Sequence, residues 1–108
     1  MNHDAQPEYV LLWEFRVRAG FDAEFEEAYG PKGDWAALFA SAPGFVGTEL
    51  LRDPTIPRRY LTIDRWASAD AFASFRQARS AEYNALDARC ERWTEAETQL
   101  GVWSSFSQ

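Results

Sequence analysis

Residues Trp35–Phe75 read WAALFASAPGFVGTELLRDPTIPRRYLTIDRWASADAFASF, and this run decides the order of elements around it. Trp35, Leu38 and Phe39 are spaced for one side of a helix, which Ala42-Pro43-Gly44 stops. Proline lacks a backbone donor and clashes with the preceding turn, while glycine adds freedom. A strand is expected from Phe45 to Arg52, followed by the loop Asp53-Pro54-Thr55-Ile56-Pro57, whose prolines exclude regular structure. The next strand runs from Arg59 to Trp66, with Tyr60, Thr62, Asp64 and Trp66 on one face and Leu61, Ile63 and Arg65 on the other. Ser68 then caps a second helix that buries Ala71, Phe72 and Phe75.

Upstream, residues 9–18 alternate: Tyr9, Leu11, Trp13, Phe15 and Val17 share one face of a strand that Ala19-Gly20 ends. Phe21, Phe25, Ala28 and Tyr29 follow at helical spacing, with Asp22 as the expected N-cap. Gly30-Pro31-Lys32-Gly33 interrupts that helix and Asp34 restarts it, so a broken helix is predicted. Downstream, Ser80 introduces a jog, and Tyr83, Leu86, Cys90 and Trp93 form one helical stripe. Thr94-Glu95-Ala96-Glu97 has capping-box spacing, which predicts a short turn before a last strand near Gln99 to Phe106.

The resulting order is strand-helix-strand-strand-helix-strand, that of the ferredoxin-like split βαβ unit. The fold class is therefore α+β, with a four-stranded antiparallel sheet and helices on one face only. The other face, carrying Val10, Leu12, Glu14 and Arg16, is left bare, and a second copy is its simplest cover. A homodimer forming a dimeric α+β barrel is expected, each chain having a flexible arm over residues 1–8 and one domain over 9–108.

Composition bounds the function classes. The 108 residues suit one domain. Five Trp, eight Phe and four Tyr exceed what so small a core easily hides, so some rings belong to a cavity or an interface. A net charge of −6, with eleven basic residues dispersed among seventeen acids, argues against nucleic acid. The run Asp22–Glu27 reads as the solvated face and acidic first turn of a helix. Cys90 is the sole cysteine, so no intrachain disulfide is possible. No apolar run approaches the roughly 18 residues of a membrane span, and the first residues lack the pattern of a signal peptide. A soluble cytoplasmic protein is the expectation.

Several features together resemble the antibiotic biosynthesis monooxygenase family. They are Val17-Arg18-Ala19-Gly20 closing the first strand, Phe25 and Tyr29 in the first helix, Pro43-Gly44-Phe45-Val46-Gly47, and Tyr60-Leu61-Thr62-Ile63-Asp64-Arg65-Trp66-Ala67-Ser68 with Phe72. The likeness covers residues 8–106 and implies a dimeric barrel with a pocket between sheet and helices in each subunit. It also implies oxidation of aromatic polyketide-type compounds by O2 with no metal or organic cofactor. Related branches degrade haem or isomerise or oxidise quinols. The haem branch's asparagine, tryptophan and histidine positions fall near Trp13, Phe75 and Ala85, and the only histidine is His3, in the arm. Tyr83 apart, no residue offers itself as an axial ligand, so neither haem nor another cofactor is expected. Clustered metal ligands, a nucleophile elbow and a phosphate loop are likewise not found.

Cofactor-free oxidation of a phenol needs an apolar slot, a base, and donors for the developing oxyanion. Tyr83, Asp64 and Trp35 are the candidate catalytic residues. Trp13, Tyr29, Phe39, Phe75 and Trp66 are the candidate substrate-binding residues. Asp64 becomes a usable base if burial among rings raises its pKa; the alternative is an exposed strand residue, or a partner of Arg59 or Arg65. Trp66 and Phe75 alternatively serve the core. The same barrel also suits a cofactor-free cyclase or isomerase, or a non-catalytic dimer that binds a small aromatic ligand.

Overall fold

Alternation in the first strand and the proline-punctuated hairpin become the two halves of one sheet in the computed structural model, which describes residues 7–106. The elements are β1 (Tyr9–Val17), α1 (Asp22–Tyr29), α2 (Asp34–Ala40), β2 (Phe45–Arg52), β3 (Arg59–Trp66), α3 (Ala69–Ala78), α4 (Ser80–Cys90) and β4 (Thr94–Ser104). The sheet is antiparallel, ordered β2-β3-β1-β4, which is the ferredoxin-like arrangement.

Register decides which residues share a face, because directly opposed residues in an antiparallel pair point the same way. Across β3, Leu11 meets Asp64, Trp13 meets Thr62 and Phe15 meets Tyr60. Across β4, Trp13 meets Gln99 and Phe15 meets Glu97. This is the face the helices cover. Leu11, Phe15, Val17, Tyr60 and Trp66 pack there against Phe25, Tyr29, Trp35, Phe39, Phe75, Leu86 and Cys90. The rings form one continuous network, from Phe25 stacked on Tyr29 at 4.2 Å to Trp66 against Phe75 at 5.0 Å.

Both helical layers are broken where the sequence predicts. Between α1 and α2, the Gly33 backbone lies so close to the end of α1 that a Cβ there would sit 2.2 Å from the Glu27 carbonyl oxygen. At the next turn Gly44 takes φ +91 against the Ala71 methyl, and its carbonyl accepts from Ala67 N–H at 2.7 Å. Ser68 caps α3, its hydroxyl accepting from Ala71 N–H at 3.1 Å. The jog before Ser80 is Arg79, at φ −116 and ψ 30.

Two local expectations are corrected. Asp22 is the first helical residue and Phe21 the N-cap, with no side-chain cap bond. The Asp22 carboxylate instead turns to the Tyr60 hydroxyl, which lies between it at 3.0 Å and the Glu26 carboxylate at 2.6 Å, the closer acceptor of its one proton. Thr94–Glu97 is the start of β4 rather than a turn before it, because Thr94 to Glu97 continue the ladder along Val17 to Phe15. The connecting turn is the preceding 3-10 segment Glu91–Trp93. Most of the expected arm, with His3, lies outside the described residues; Glu8 is bonded through its backbone to Ser105 at the end of β4.

The sheet's other face carries Val10, Leu12, Glu14, Leu61, Ile63 and Arg65, with Leu51 and Trp103 45% and 55% exposed. Arg59 pairs there with Glu14 and Asp53, and Arg65 with Glu8 and Glu49. Among the described residues no helix is long and apolar enough to cross a membrane.

Candidate active site

Between the helix-facing side of the sheet and the helices lies a cavity of about 120 Å³. Its size is of the order of an engineered apolar cavity that holds benzene, about 150 Å³. Every layer contributes: Trp13 and Phe15 from β1, Thr48 from β2, Thr62 and Asp64 from β3, and Glu97 from β4. The helices add Tyr29, Trp35, Phe39, Tyr83 and Asp87. The helix break matters here. The close approach at Gly33 lets α2 start against α1's end, which brings Trp35 and Phe39 over the same strands as Tyr29. Glu97 alone among the lining residues is exposed, so the cavity reaches solvent on the β4 side.

Asp64 is the most chemically informative group. It stands partly buried among Trp13, Tyr83 and Thr62, and burial lifts its carboxyl from 3.8 to about 6. The one opposing influence is the Thr48 hydroxyl, which donates to Asp64 Oδ1 at 2.6 Å. Thr48 is Asp64's cross-strand neighbour, so the bond follows from the hairpin register. Neither Arg59 nor Arg65 pairs with Asp64; both are engaged by other carboxylates.

Tyr83 packs edge-on against Trp35 at 5.0 Å and Phe75 at 6.2 Å, with the Arg76 guanidinium 3.7 Å from its ring centre. Burial pushes its phenol up; Arg76 pulls it back, and Asp87, Asp64 and Glu97 push it further up. Tyr83 therefore stays a neutral donor at physiological pH. Tyr29 is also raised, first by burial and then by Cys90 and Glu97. The Trp35 indole N–H is buried and has no hydrogen-bond partner among the described residues. Its nitrogen has no accessible surface and lies against the Tyr29 hydroxyl and the Cys90 thiol, so this indole meets the cavity by its ring and not by its N–H.

Of the eight candidate site residues, Trp13, Tyr29, Trp35, Phe39, Asp64 and Tyr83 line this one cavity. Trp66 and Phe75 do not line it. They are 0% and 2% exposed in the aromatic core behind it, where Phe75 supports Tyr83 and Phe39. Sequence reasoning missed Thr48, Thr62, Asp87 and Glu97 as lining residues. Asp87 follows Tyr83 by one helical step, a usable signal. Glu97 was hidden by its capping-box spacing. No group of three or more His, Cys, Asp or Glu converges to hold a metal among the described residues.

Residues 8–85 match the model of the antibiotic biosynthesis monooxygenase family, and the chain belongs to that family. No curated protein sequence gives a significant match. Among solved structures the chain is similar to SnoaB from Streptomyces nogalater, described as a cofactor-independent oxygenase. Identity is 27% over 94% of this chain and 96% of that one, with a TM-score of 0.72. A mutant form of SnoaB superposes with a TM-score of 0.74 at 26% identity over the same shares of the two chains. A Caulobacter crescentus protein shares the fold at 22% identity, over 95% of this chain and 93% of that one, with a TM-score of 0.77.

Proposed function

We infer that this protein is a homodimeric, cofactor-independent monooxygenase acting on a small aromatic or polyketide-type phenol in the sheet–helix cavity. A monooxygenase-type activity is supported by the family and by the likeness to SnoaB. The observation that carries the chemistry is Asp64, a carboxyl with a pKa near 6 in an aromatic wall, held by one hydroxyl donor.

A base poised there takes a proton from the acidic C–H or O–H of a bound phenol and leaves an electron-rich anion. In this reading Tyr83 donates to its oxygen and Trp13, Tyr29, Trp35 and Phe39 hold the ring, a role supported by their all lining the one cavity. Dioxygen accepts the electrons, one oxygen atom entering the carbon skeleton as a quinone carbonyl and the other leaving as water with the two hydrogens lost. Balanced in this way, the reaction requires no further reductant.

Oxygen uptake with a panel of anthrones is the test. The wild type should consume one O2 per quinone formed, and Asp64→Asn should lower the rate by about 100-fold or more. Turnover of the same panel under strict anaerobiosis would instead mean that the base serves an isomerase or cyclase. Tight binding without product would leave a ligand-binding dimer.

A further inference from the structure

Tyr83 is the donor that the proposed reaction uses, and its hydroxyl makes no hydrogen bond among the described residues. No polar partner aims the phenol, so its ring is held by what packs against it. Trp35 meets the ring edge-on at 5.0 Å and Phe75 at 6.2 Å. The third neighbour is the Arg76 guanidinium, 3.7 Å from the ring centre.

Arg76 stands on α3, seven positions before Tyr83 on α4, and Arg79 breaks the helix between them. Arg79 itself pairs with Glu82 at 3.3 Å. Arg76 makes no ion pair and no side-chain hydrogen bond among the described residues, and its guanidinium rests on the Tyr83 ring instead. Asp64, Asp87 and Glu97 all bear on the same phenol, and Arg76 is the single positive charge among them. Arg76 does not line the cavity, so whatever it does for a ligand it does through Tyr83.

We propose that Arg76 is a positioning residue, which clamps the Tyr83 ring with its hydroxyl toward a ligand's oxygen and strengthens that hydroxyl as a donor. A cation over the ring face is attracted by its quadrupole, which fixes the ring. Positive charge beside a phenol also favours release of its proton, and a more acidic O–H gives a stronger hydrogen bond. The effect grows as negative charge gathers on the ligand's oxygen, as it does in the proposed reaction. The inference rests on the functional reading in taking Tyr83 as the ligand's donor, and it requires no oxygen consumption.

Binding of two ligands of one shape tests it: acetophenone, whose carbonyl accepts a hydrogen bond, and isopropylbenzene, which has no acceptor. In NMR titrations, Tyr83→Phe should weaken acetophenone about tenfold and leave isopropylbenzene within about twofold. Arg76→Gln should weaken acetophenone about threefold and again spare isopropylbenzene. Arg76→Lys keeps the charge and should recover part of that loss. Added to Tyr83→Phe, Arg76→Gln should have no further effect, because both act through one hydroxyl. An unchanged acetophenone affinity in Arg76→Gln would overturn the proposal, as would an equal loss for both ligands, an undiminished loss on top of Tyr83→Phe, or no binding of either ligand to the wild type. Loss in Tyr83→Phe with none in Arg76→Gln overturns this inference alone, whereas Tyr83→Phe without effect removes Tyr83 from the functional reading as well. The expected coupling without oxygen uptake by the wild type leaves this inference standing and removes the monooxygenase reading.

Discussion

Asp64 separates a catalytic role from a structural one, because its two roles respond oppositely to the same substitution. As a base it acts only when ionised, so kcat/KM should rise with pH through about 6 and level off above. As a structural group it is a burden. Its folded pKa of about 6 lies above 3.8, so the native state holds the proton more tightly than the unfolded chain, and stability falls as pH rises between those values. The ionised form costs the fold on the order of 2–3 kcal/mol. Asp64→Asn keeps an oxygen to accept from Thr48 and removes the charge. It should therefore unfold no earlier than the wild type in alkaline buffer, and later if the cost is fully relieved, while losing oxygen uptake. A large drop in melting temperature would place Asp64 among the structural residues. Thr48→Val removes the one group that favours the ionised form and should move the rise in kcat/KM to higher pH.

At the scale of elements, the break between α1 and α2 sets the cavity's ceiling. Gly33 is required by space rather than by dihedral: a Cβ would meet the Glu27 and Ala28 carbonyl oxygens at 2.2 and 2.5 Å. These are backbone atoms that cannot rotate away. Gly33→Ala should cost about 1–3 kcal/mol and lower the melting temperature by several degrees. It should also weaken aromatic-ligand binding, since Trp35 and Phe39 ride on α2. Thermal unfolding and calorimetry on one sample check both. The break itself was legible as Gly-Pro-Lys-Gly, and so was the Ser68 cap, because both are written in adjacent residues. The start of β4 was not. Thr94 to Glu97 carry a helix-start pattern locally, and only pairing with β1, more than seventy positions away, makes them strand.

For the whole molecule, the uncovered sheet face makes self-association the expected state. Leu12 and Ile63 oppose each other there with Glu49 beyond, flanked by the Arg59–Glu14 and Arg65–Glu49 pairs. Light scattering should give a dimer mass, and Ile63→Arg, a charge on that face, should give a folded monomer; a monomeric wild type would remove the dimer from the functional reading. Six of the eight candidate site residues line one cavity, and they were found because strand alternation and helical spacing say which face a residue occupies. Trp66 and Phe75 occupy the expected inner face too, but an inner face does not say whether a ring meets empty space or another ring. The amino-acid sequence by itself determined the order of elements, their breaks and the identity of the inner faces, all of which depend on neighbours within one or two turns. Only the tertiary structure decided which polar groups meet: Thr48 with Asp64, Tyr60 with Asp22, and Asp87 and Glu97 about Tyr83. Those meetings depend on register and on packing between elements distant in the chain, where a shift of one residue turns every side chain to the opposite face.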